Sequence, residues 1–334
     1  MTGARVSVIF LWTSFLNLPE SYNVDLGRQP LIDAHCPVTN CLITDDIKYL
    51  NQSDVVVFDI QTMSDAPGRR HPHQRYVFYN NEAPTVINML PFTDPRIRFH
   101  FFNWTMTYRS DSDIVHRYGQ MTKINPSGAV GSADVMKKRN KTNLVAWFVT
   151  HCATPNRREE YVRQLSQFIA VDIYGPCGNL TCKRTDDSNN SICLEMLRSD
   201  YKFYLAFENS LCPDYVTEKL FHPLMYDTVP IVMGGVDYDR FAPPHSYIDV
   251  RQFESAKQLA DYLRLLDQSD DLYARYFDWK IHYRVTSPTM DGWCDLCQMA
   301  HQSSDLPRQS YSDIYSWWME RLQCQNNNSL LYSN

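Results

Sequence analysis

The stretch from residue 201 to 235, YKFYLAFENSLCPDYVTEKLFHPLMYDTVPIVMGG, gathers more residues able to do chemistry than any other part of the chain. An apolar run of strand length, 203–207, ends in the polar elbow Glu208-Asn209-Ser210. In open α/β sheets ligands bind beyond the carboxyl ends of the strands. Asp214 is placed to cap a helix starting at Tyr215, with Thr217, Glu218 and Lys219 in its first turn. Val216, Leu220 and Leu224 can face a core at four-residue spacing, and Pro223 is expected to break or kink the helix. A helix N-terminus with free N–H groups suits a pyrophosphate. Lys219 adds a full positive charge there, and Glu218 can accept hydrogen bonds from ribose hydroxyls. On the residues alone, an ordinary amphipathic helix with an exposed Glu and Lys is the plainer reading.

Two further sets of carboxylates invite chemistry. Asp111-Ser112-Asp113 is a D-x-D triplet, the pattern that can hold Mn²⁺ on a phosphorylated ligand. Glu82 lies in the loop NNEAP after an expected strand at 75–79, and by itself fits a residue that caps a turn.

Positioning these groups takes two α/β halves. The runs 6–12 (VSVIFLW) and 55–60 (VVVFDI) are apolar at all but one position each, as strands buried on both faces of a parallel sheet are, and 75–79 and 98–104 are further candidates. Residues 126–143 carry Gly, Ser and charge with little apolar periodicity and read as a linker. Beyond it, strands are expected at 144–149, 171–174, 203–207 and 229–233, the last ending at Gly234-Gly235. Helices are expected at 159–168, with Tyr161, Leu165 and Phe168 on one face, and at 255–267 and 270–283. Length agrees, since 334 residues exceed what one core usually serves. With 44% apolar residues there is enough to fill two cores. Two such halves suggest two Rossmann-like domains, the general shape of GT-B glycosyltransferases and also of other two-domain α/β enzymes.

Charge and cysteine content narrow the class. The net charge is −6 with the signs interspersed and no long basic block, so nucleic acid is a poor candidate partner. The clusters Lys137-Lys138-Arg139 and Arg157-Arg158 are short enough to be solvated faces. Ten cysteines include the close pairs Cys36/Cys41, Cys177/Cys182 and Cys294/Cys297. A single CxxC without a matching second pair argues for disulfides over zinc. N-x-S/T sequons at Asn51, Asn103, Asn140, Asn179, Asn189 and Asn327 point the same way, towards an oxidising lumen. The spacings lead us to expect Cys36–Cys41 and Cys294–Cys297 disulfides. The apolar run 6–12 is too short to cross a bilayer, so a membrane anchor, if the protein is luminal, is expected to be missing from this chain.

The pattern FYLAFENS…DYVTEKL…VPIVMGG resembles the donor-binding motif of the α1,3-fucosyltransferases (GT10), which use GDP-fucose. FNWTMTYRSDSDIVHRYG at 102–119 resembles their second hallmark segment. AWFVTHCATPNRREEYVRQL resembles the strand and helix that open their donor domain, and the C-terminal WCDLC also fits. The resemblance covers nearly the whole chain and looks most like the invertebrate members. It implies an α/β GT-B fold with an acceptor-binding domain over 1–136 and a GDP-fucose-binding domain over 137–334. It also implies an inverting transfer of fucose to a GlcNAc of N-glycans on glycoproteins, with the asparagine-linked GlcNAc favoured. Lewis-type transfer to an outer GlcNAc and an inactive glycan-binding pseudoenzyme are the alternatives. No metal and no cofactor beyond the donor are implied, and the implied setting is the Golgi lumen, as a type II membrane-anchored protein.

Carried over position by position, the resemblance implies that Asn209, Tyr215, Glu218 and Lys219 contact GDP-fucose and that Tyr204 lies against the guanine. Arg158 pairs with the diphosphate beside Lys219, with Arg157 next to it as the residue open to confusion. Glu82 matches the family's proposed base. Trp104 is a candidate to stack on an acceptor sugar or to be a core tryptophan, and Tyr108, Arg109 and the Asp111–Asp113 triplet are read as bracing. Four positions depart from the pattern: Thr150-His151 in place of Ser-Asn, Ala83 after Glu82, and Arg117 where a Pro is usual.

Overall fold

The computed structural model describes residues 5–12, 22–87, 89–125, 141–182, 192–303, 308–321 and 323–325. The chain forms two α/β units, Met1–Arg117 with Pro288–Gln323, and Tyr118–Ser287 with Cys324–Asn334. The expected division at 136/137 therefore moves to 117/118, and the segment from Pro288 returns to the first unit instead of closing the second. Most of the expected linker, with Lys137-Lys138-Arg139 and the sequon Asn140, lies outside the described residues, as do the sequons Asn189 and Asn327.

The first unit is built on six parallel strands: β1 (Ser7–Trp12), β2 (Cys41–Thr44), β3 (Val55–Asp59), β4 (Arg75–Asn80), β5 (Trp104–Thr107) and β6 (Ile114–Val115). Their order is β2-β1-β3-β4-β5-β6. Every residue of β3 and β4 is buried; β3 accordingly reads as an apolar run up to Asp59, whereas β4 buries the polar Arg75 and Asn80 at its ends. The expected strand at 98–104 is corrected. Asp94 caps a short helix, α2 (Pro95–Arg98), which follows α1 (Gln29–Asp33), and Pro95 occupies its first position. His100 then takes a left-handed conformation (φ 55°), so pairing begins only at Trp104. Phe101 and Phe102 instead pack edge-on against Phe58.

The C-terminal helix of this unit, Asp291–His301, puts Trp293, Leu296 and Cys297 into the core beside Ile9, Val55 and Val77. It also sets the disulfides. Cys294 and Cys297 stand one turn apart and face the unit's body, where Cys36 and Cys41 lie. The pairs are Cys36–Cys294 and Cys41–Cys297, not the local Cys36–Cys41 and Cys294–Cys297 bridges expected from spacing. With Cys152–Cys177, Cys182–Cys193 and Cys212–Cys324, no cysteine is free. Cys41, Cys297 and His301 cluster, but both sulfurs are committed to the disulfide and His301 Nε2 lies 2.9 Å from the Asn40 carbonyl.

The second unit holds the antiparallel pair β7 (Gln120–Lys123) and β13 (Tyr283–Thr286) and a parallel sheet. The sheet strands are β8 (Asn143–Phe148), β9 (Val171–Tyr174), β10 (Tyr201–Phe207), β11 (Val229–Met233) and β12 (Ile248–Asp249), in the order β12-β11-β10-β8-β9. The helices are α3 (Arg158–Leu165), α4 (Ile192–Ser199), α5 (Glu218–Met225), α6 (Ala256–Asp267) and α7 (Asp270–Ala274). Alternation along β10 serves two cores: Phe203, Leu205 and Phe207 pack towards Leu165 and Leu263, while Tyr204 and Ala206 pack towards Leu197 and Leu220. The expected helix at 270–283 stops at Ala274, continues as a 3₁₀ turn over Arg275–Ile281 and gives way to β13, because Tyr283 pairs with Lys123.

Candidate active site

The carboxyl ends of β8, β10 and β11 meet the loops that carry the expected donor residues. Asp214 does not cap the following helix. It lies in the left-handed region (φ 60°) and pairs with Arg240 at 3.1 Å, and α5 starts at Glu218 with Thr217 as its cap. The cause is Glu208. Its carboxylate, only 1% exposed, accepts from Thr217 N–H at 2.8 Å and from the Thr217 hydroxyl at 2.9 and 3.0 Å, which holds Thr217 extended ahead of the helix. Pro223 lies inside α5, which ends two residues later at Met225.

Lys219 sits among oxygens: its Nζ donates to Thr217 Oγ1 at 2.9 Å and to Glu218 Oε1 at 3.0 Å, and lies 3.5 Å from Glu208. Burial works against its charge, but Glu218 and Glu208 outweigh it, so its pKa is raised. Burial also works against the Glu218 carboxylate, and Lys219 outweighs it, leaving Glu218 below its ordinary value. Glu208 is pushed up by its burial, with Lys219 pulling it back only in part.

Arg158 is the first residue of α3 and is 3% exposed. It donates to the Phe207 carbonyl at 2.5 Å and to the His151 carbonyl at 3.4 Å, tying the ends of β8 and β10 together. Its Nε is buried without a hydrogen-bond partner. Burial lowers its pKa, opposed first by Glu208. Arg157 points the other way, exposed and paired with Glu160 at 3.0 Å, so the two arginines are cleanly distinguished. Tyr204 is buried against Phe148, with ring centroids 5.4 Å apart, and burial pushes its phenol up to about 12. Tyr215 is buried, and Asn209 Oδ1 is a buried acceptor without a partner. The structure thus brings Arg158, Tyr204, Asn209, Tyr215, Glu218 and Lys219 into one region of the second unit.

Several residues of this region were not singled out from the sequence. Glu208 was noticed only as part of the elbow. Asn156, fully buried, donates to the Glu208 carbonyl at 2.7 Å and receives the Thr154 hydroxyl at 2.8 Å, fixing the loop before α3. Gly234 and Gly235 are required by close approach. A Cβ on Gly234 would lie 2.3 Å from the Tyr238 hydroxyl, and one on Gly235 2.5 Å from the Leu211 carbonyl carbon. The signal for the glycines was present in VPIVMGG, whereas the burial of Glu208 and Asn156 depends on contacts 9 and 52 residues away.

In the first unit, Glu82 is half-buried just beyond the carboxyl end of β4. Asn80 clasps its backbone, accepting the Glu82 N–H at 3.1 Å and donating to the Glu82 carbonyl at 3.2 Å. Trp104 is corrected as an acceptor residue: it is 2% exposed in the core and offers no ring face to a sugar. The triplet is used internally. Asp111 pairs with Arg109 at 2.6 and 2.8 Å, and Arg109 stacks over Trp317 at 4.1 Å. Asp113 accepts from Thr105 N–H and the Tyr311 hydroxyl, each at 2.8 Å. The sequon at Asn103 is buried, its amide donating to the Gln309 carbonyl at 2.7 Å, while Asn51 and Asn179 are exposed.

Comparison with known proteins decides the family. Residues 4–119 match the model "Fucosyltransferase, N-terminal" and residues 138–317 match "Glycosyltransferase family 10 (fucosyltransferase) C-term". The chain belongs to glycosyltransferase family 10. It is 41% identical to Drosophila melanogaster alpha-(1,3)-fucosyltransferase C, over 95% of this chain and 79% of that protein. It is 38% identical to Drosophila glycoprotein 3-alpha-L-fucosyltransferase A, over 89% of this chain and 58% of that protein. Human 3-galactosyl-N-acetylglucosaminide 4-alpha-L-fucosyltransferase FUT3 is 36% identical over 84% and 75%. A crystal structure of an alpha1,3-fucosyltransferase with GDP-fucose superposes with a TM-score of 0.54 over 94% of this chain and 95% of that one, at 15% identity, and supports the fold. The fold is thus the α/β architecture of the GT10 fucosyltransferases, and membership makes the protein a glycosyltransferase.

Proposed function

We propose that this protein is an inverting α1,3-fucosyltransferase. It moves L-fucose from GDP-β-L-fucose to O3 of a GlcNAc of N-glycans on glycoproteins, with the asparagine-linked GlcNAc as the favoured acceptor. The observation that carries the donor reading is the pair of cations Arg158 and Lys219, held with Glu208 where the loops after β8 and β10 meet α5. These cations stabilise the charge that develops on the departing GDP as the bond between fucose C1 and the phosphate oxygen breaks. The acceptor hydroxyl forms the new C1–O bond from the opposite face and yields its proton to a base, for which we propose Glu82. Asn209 and Glu218 supply acceptors for the nucleoside, and Tyr204 and Tyr215 its walls. With the diphosphate charge met by side chains and the α5 N-terminus, we propose that no metal is needed and that activity survives EDTA.

The Drosophila glycoprotein fucosyltransferase among the relatives supports a glycoprotein acceptor. The human FUT3 relative keeps Lewis-type transfer to an outer GlcNAc as the second reading. Glu82, Arg158, Glu218 and Lys219 are all present, which argues against a glycan-binding pseudoenzyme. We place the protein in the Golgi lumen, and its five disulfides suit an oxidising compartment. No helix among the described residues is long and apolar enough to cross a membrane, so the type II anchor we propose lies outside them. Incubation with GDP-fucose and a panel of defined N-glycans, with product linkage determined, tests the whole reading. Fucose on the innermost GlcNAc in α1,3 linkage is expected. Transfer only to outer GlcNAc moves the assignment to the second reading, and no transfer with intact GDP binding moves it to the pseudoenzyme. Glu82→Gln is expected to cut turnover by roughly 10²–10⁴ while GDP affinity and the melting temperature stay near wild type. Near wild-type turnover removes Glu82 as the base.

A further inference from the structure

The loop between β10 and α5, residues 209–217, carries Asn209 and Tyr215 and leads into Lys219, yet it is irregular. Irregular backbone places a site accurately only when something outside it fixes its shape. From within, Glu208 fixes the Thr217 end. From one side, the Gly235 backbone packs so closely that an added Cβ would lie 2.5 Å from the Leu211 carbonyl carbon and 2.7 Å from the Cys212 nitrogen. The C-terminal peptide of the chain supplies a further support. Gln325 N–H donates to the Leu211 carbonyl at 2.8 Å in an antiparallel bridge, and Cys324 is joined to Cys212. Cys212 is 0% exposed in the middle of the loop, whereas Cys324 is half-buried.

We propose that the peptide around Cys324 is a working part of the donor site, with the Cys212–Cys324 disulfide as a positioning element. It holds loop 209–217 in the shape that presents Asn209, Tyr215 and Lys219 to a nucleoside diphosphate. The proposal rests on the donor reading above. A single backbone hydrogen bond does not offset the entropy of ordering Cys324 and Gln325 against the loop. The covalent link supplies that ordering in advance, across a sequence separation of 112 residues. Without it, the loop has to be ordered by the ligand. The cost then falls on donor binding and leaves the chemistry of the bound complex unchanged.

The test uses the double variant C212S/C324S, which leaves no unpaired thiol. GDP affinity is measured by calorimetry well below the melting temperature, and KM and kcat for GDP-fucose are measured alongside. The Kd for GDP and the KM are expected to rise together by roughly tenfold, with kcat at saturating donor within about threefold of wild type. Unchanged Kd and KM beside a lowered melting temperature would mean that the disulfide only braces the fold, and the proposal fails. Should the double variant not fold, wild-type protein serves: limited reduction and alkylation, mapped by mass spectrometry, compares Cys212–Cys324 with Cys182–Cys193 with and without GDP. Protection of Cys212–Cys324 alone by GDP is expected, and equal rates overturn the proposal. Wild-type protein that binds no GDP removes the donor reading and this proposal with it. Wild type that binds GDP beside a folded double variant that binds it equally removes the proposal alone.

Discussion

Replacing Glu208 by Gln and by Ala separates its two roles. The carboxylate accepts two hydrogen bonds from Thr217, at 2.8 Å from the N–H and 2.9 Å from the hydroxyl, and lies 3.5 Å from the Lys219 ammonium. Glu208→Ala leaves a buried N–H and a buried hydroxyl without their acceptor and takes from Lys219 one of its two carboxylate partners, so it should cost the second unit about 2–4 kcal/mol, at roughly 1–3 kcal/mol for each buried group left unsatisfied. Glu208→Gln keeps an acceptor oxygen for the Thr217 N–H. Because burial already disfavours the charged form of Glu208, loss of that charge should change stability by no more than about 1 kcal/mol. Ligand binding responds differently. At an effective dielectric of about 20, attraction at 3.5 Å amounts to roughly 5 kcal/mol, and it halves if the ammonium withdraws to about 7 Å to reach a phosphate. Glu208→Gln removes that restraint, while Thr217 and Glu218 still hold Lys219 at 2.9 and 3.0 Å. GDP should therefore bind on the order of tenfold more tightly, and release of GDP should slow turnover. Acidification acts in the same direction. Glu208 binds its proton more tightly folded than unfolded, so protonation on passing below its raised pKa favours the folded state and loosens the hold on Lys219. Urea unfolding and GDP calorimetry on both variants provide the check. Weaker GDP binding by a fully stable Glu208→Gln would refute the reasoning, showing that the carboxylate steadies Lys219 for the ligand instead of competing with it.

Lys219→Ala and Arg158→Ala should each weaken GDP binding by about 1.5–3 kcal/mol, the worth of a hydrogen bond to a charged group, as read by calorimetry on folded protein. Arg158→Ala should also lower the melting temperature, since it frees the Phe207 and His151 carbonyls. Gly235→Ala forces a Cβ against the Leu211 and Cys212 backbone and should destabilise the second unit by about 1–3 kcal/mol with loss of GDP binding; a variant that melts and binds as wild type would show that the loop can yield. His116 is buried, with its pKa lowered by burial from 6.5 to about 4. The unfolded chain takes up a proton below pH 6.5 that the folded unit refuses until about 4, so stability falls as pH drops through that window. The loss should reach about 2 kcal/mol at pH 5, at 1.36 kcal/mol per pH unit. His116→Phe should flatten this part of the profile in urea unfolding at pH 7 and 5.

What the sequence made legible follows from where the causes lie. β3 and β11 were readable because full burial in a parallel sheet writes itself into a local apolar run. The FENS…DYVTEKL stretch was readable as a motif, and its Lys219 and Glu218 lie near enough to Arg158 in the second unit to act on one another's charge. Local spacing failed wherever a distant group decides. Asp214 had the chemistry of a cap, but Glu208 fixes Thr217 in that role. The run 98–104 had the residues of a strand, but the helix that Asp94-Pro95 starts runs into its first residue and His100 turns left-handed, so pairing begins only at Trp104. Tyr283 had helical neighbours, but β7 captures it. Trp104 sits in a hallmark segment and is nonetheless core, because aromatic content does not say which face of a strand is covered.

The crossed disulfides of the first unit impose an order of events during synthesis. Cys36 and Cys41 leave the ribosome with their partners 258 and 256 residues behind them. By the time Cys294 and Cys297 appear, residues 118–287 are complete and already carry the means to close Cys152–Cys177 and Cys182–Cys193. The sheet of the second unit can therefore mature first, while the first unit waits for its C-terminal helix to fill the core. During that wait the nearest partner of Cys36 is Cys41, and loop closure favours this short bridge over the native one by roughly 3 kcal/mol. The pairing suggested by spacing is thus the expected wrong turn of the nascent chain. Thiol–disulfide exchange has to undo it, so the yield of native protein should depend on a disulfide isomerase more than on an oxidant.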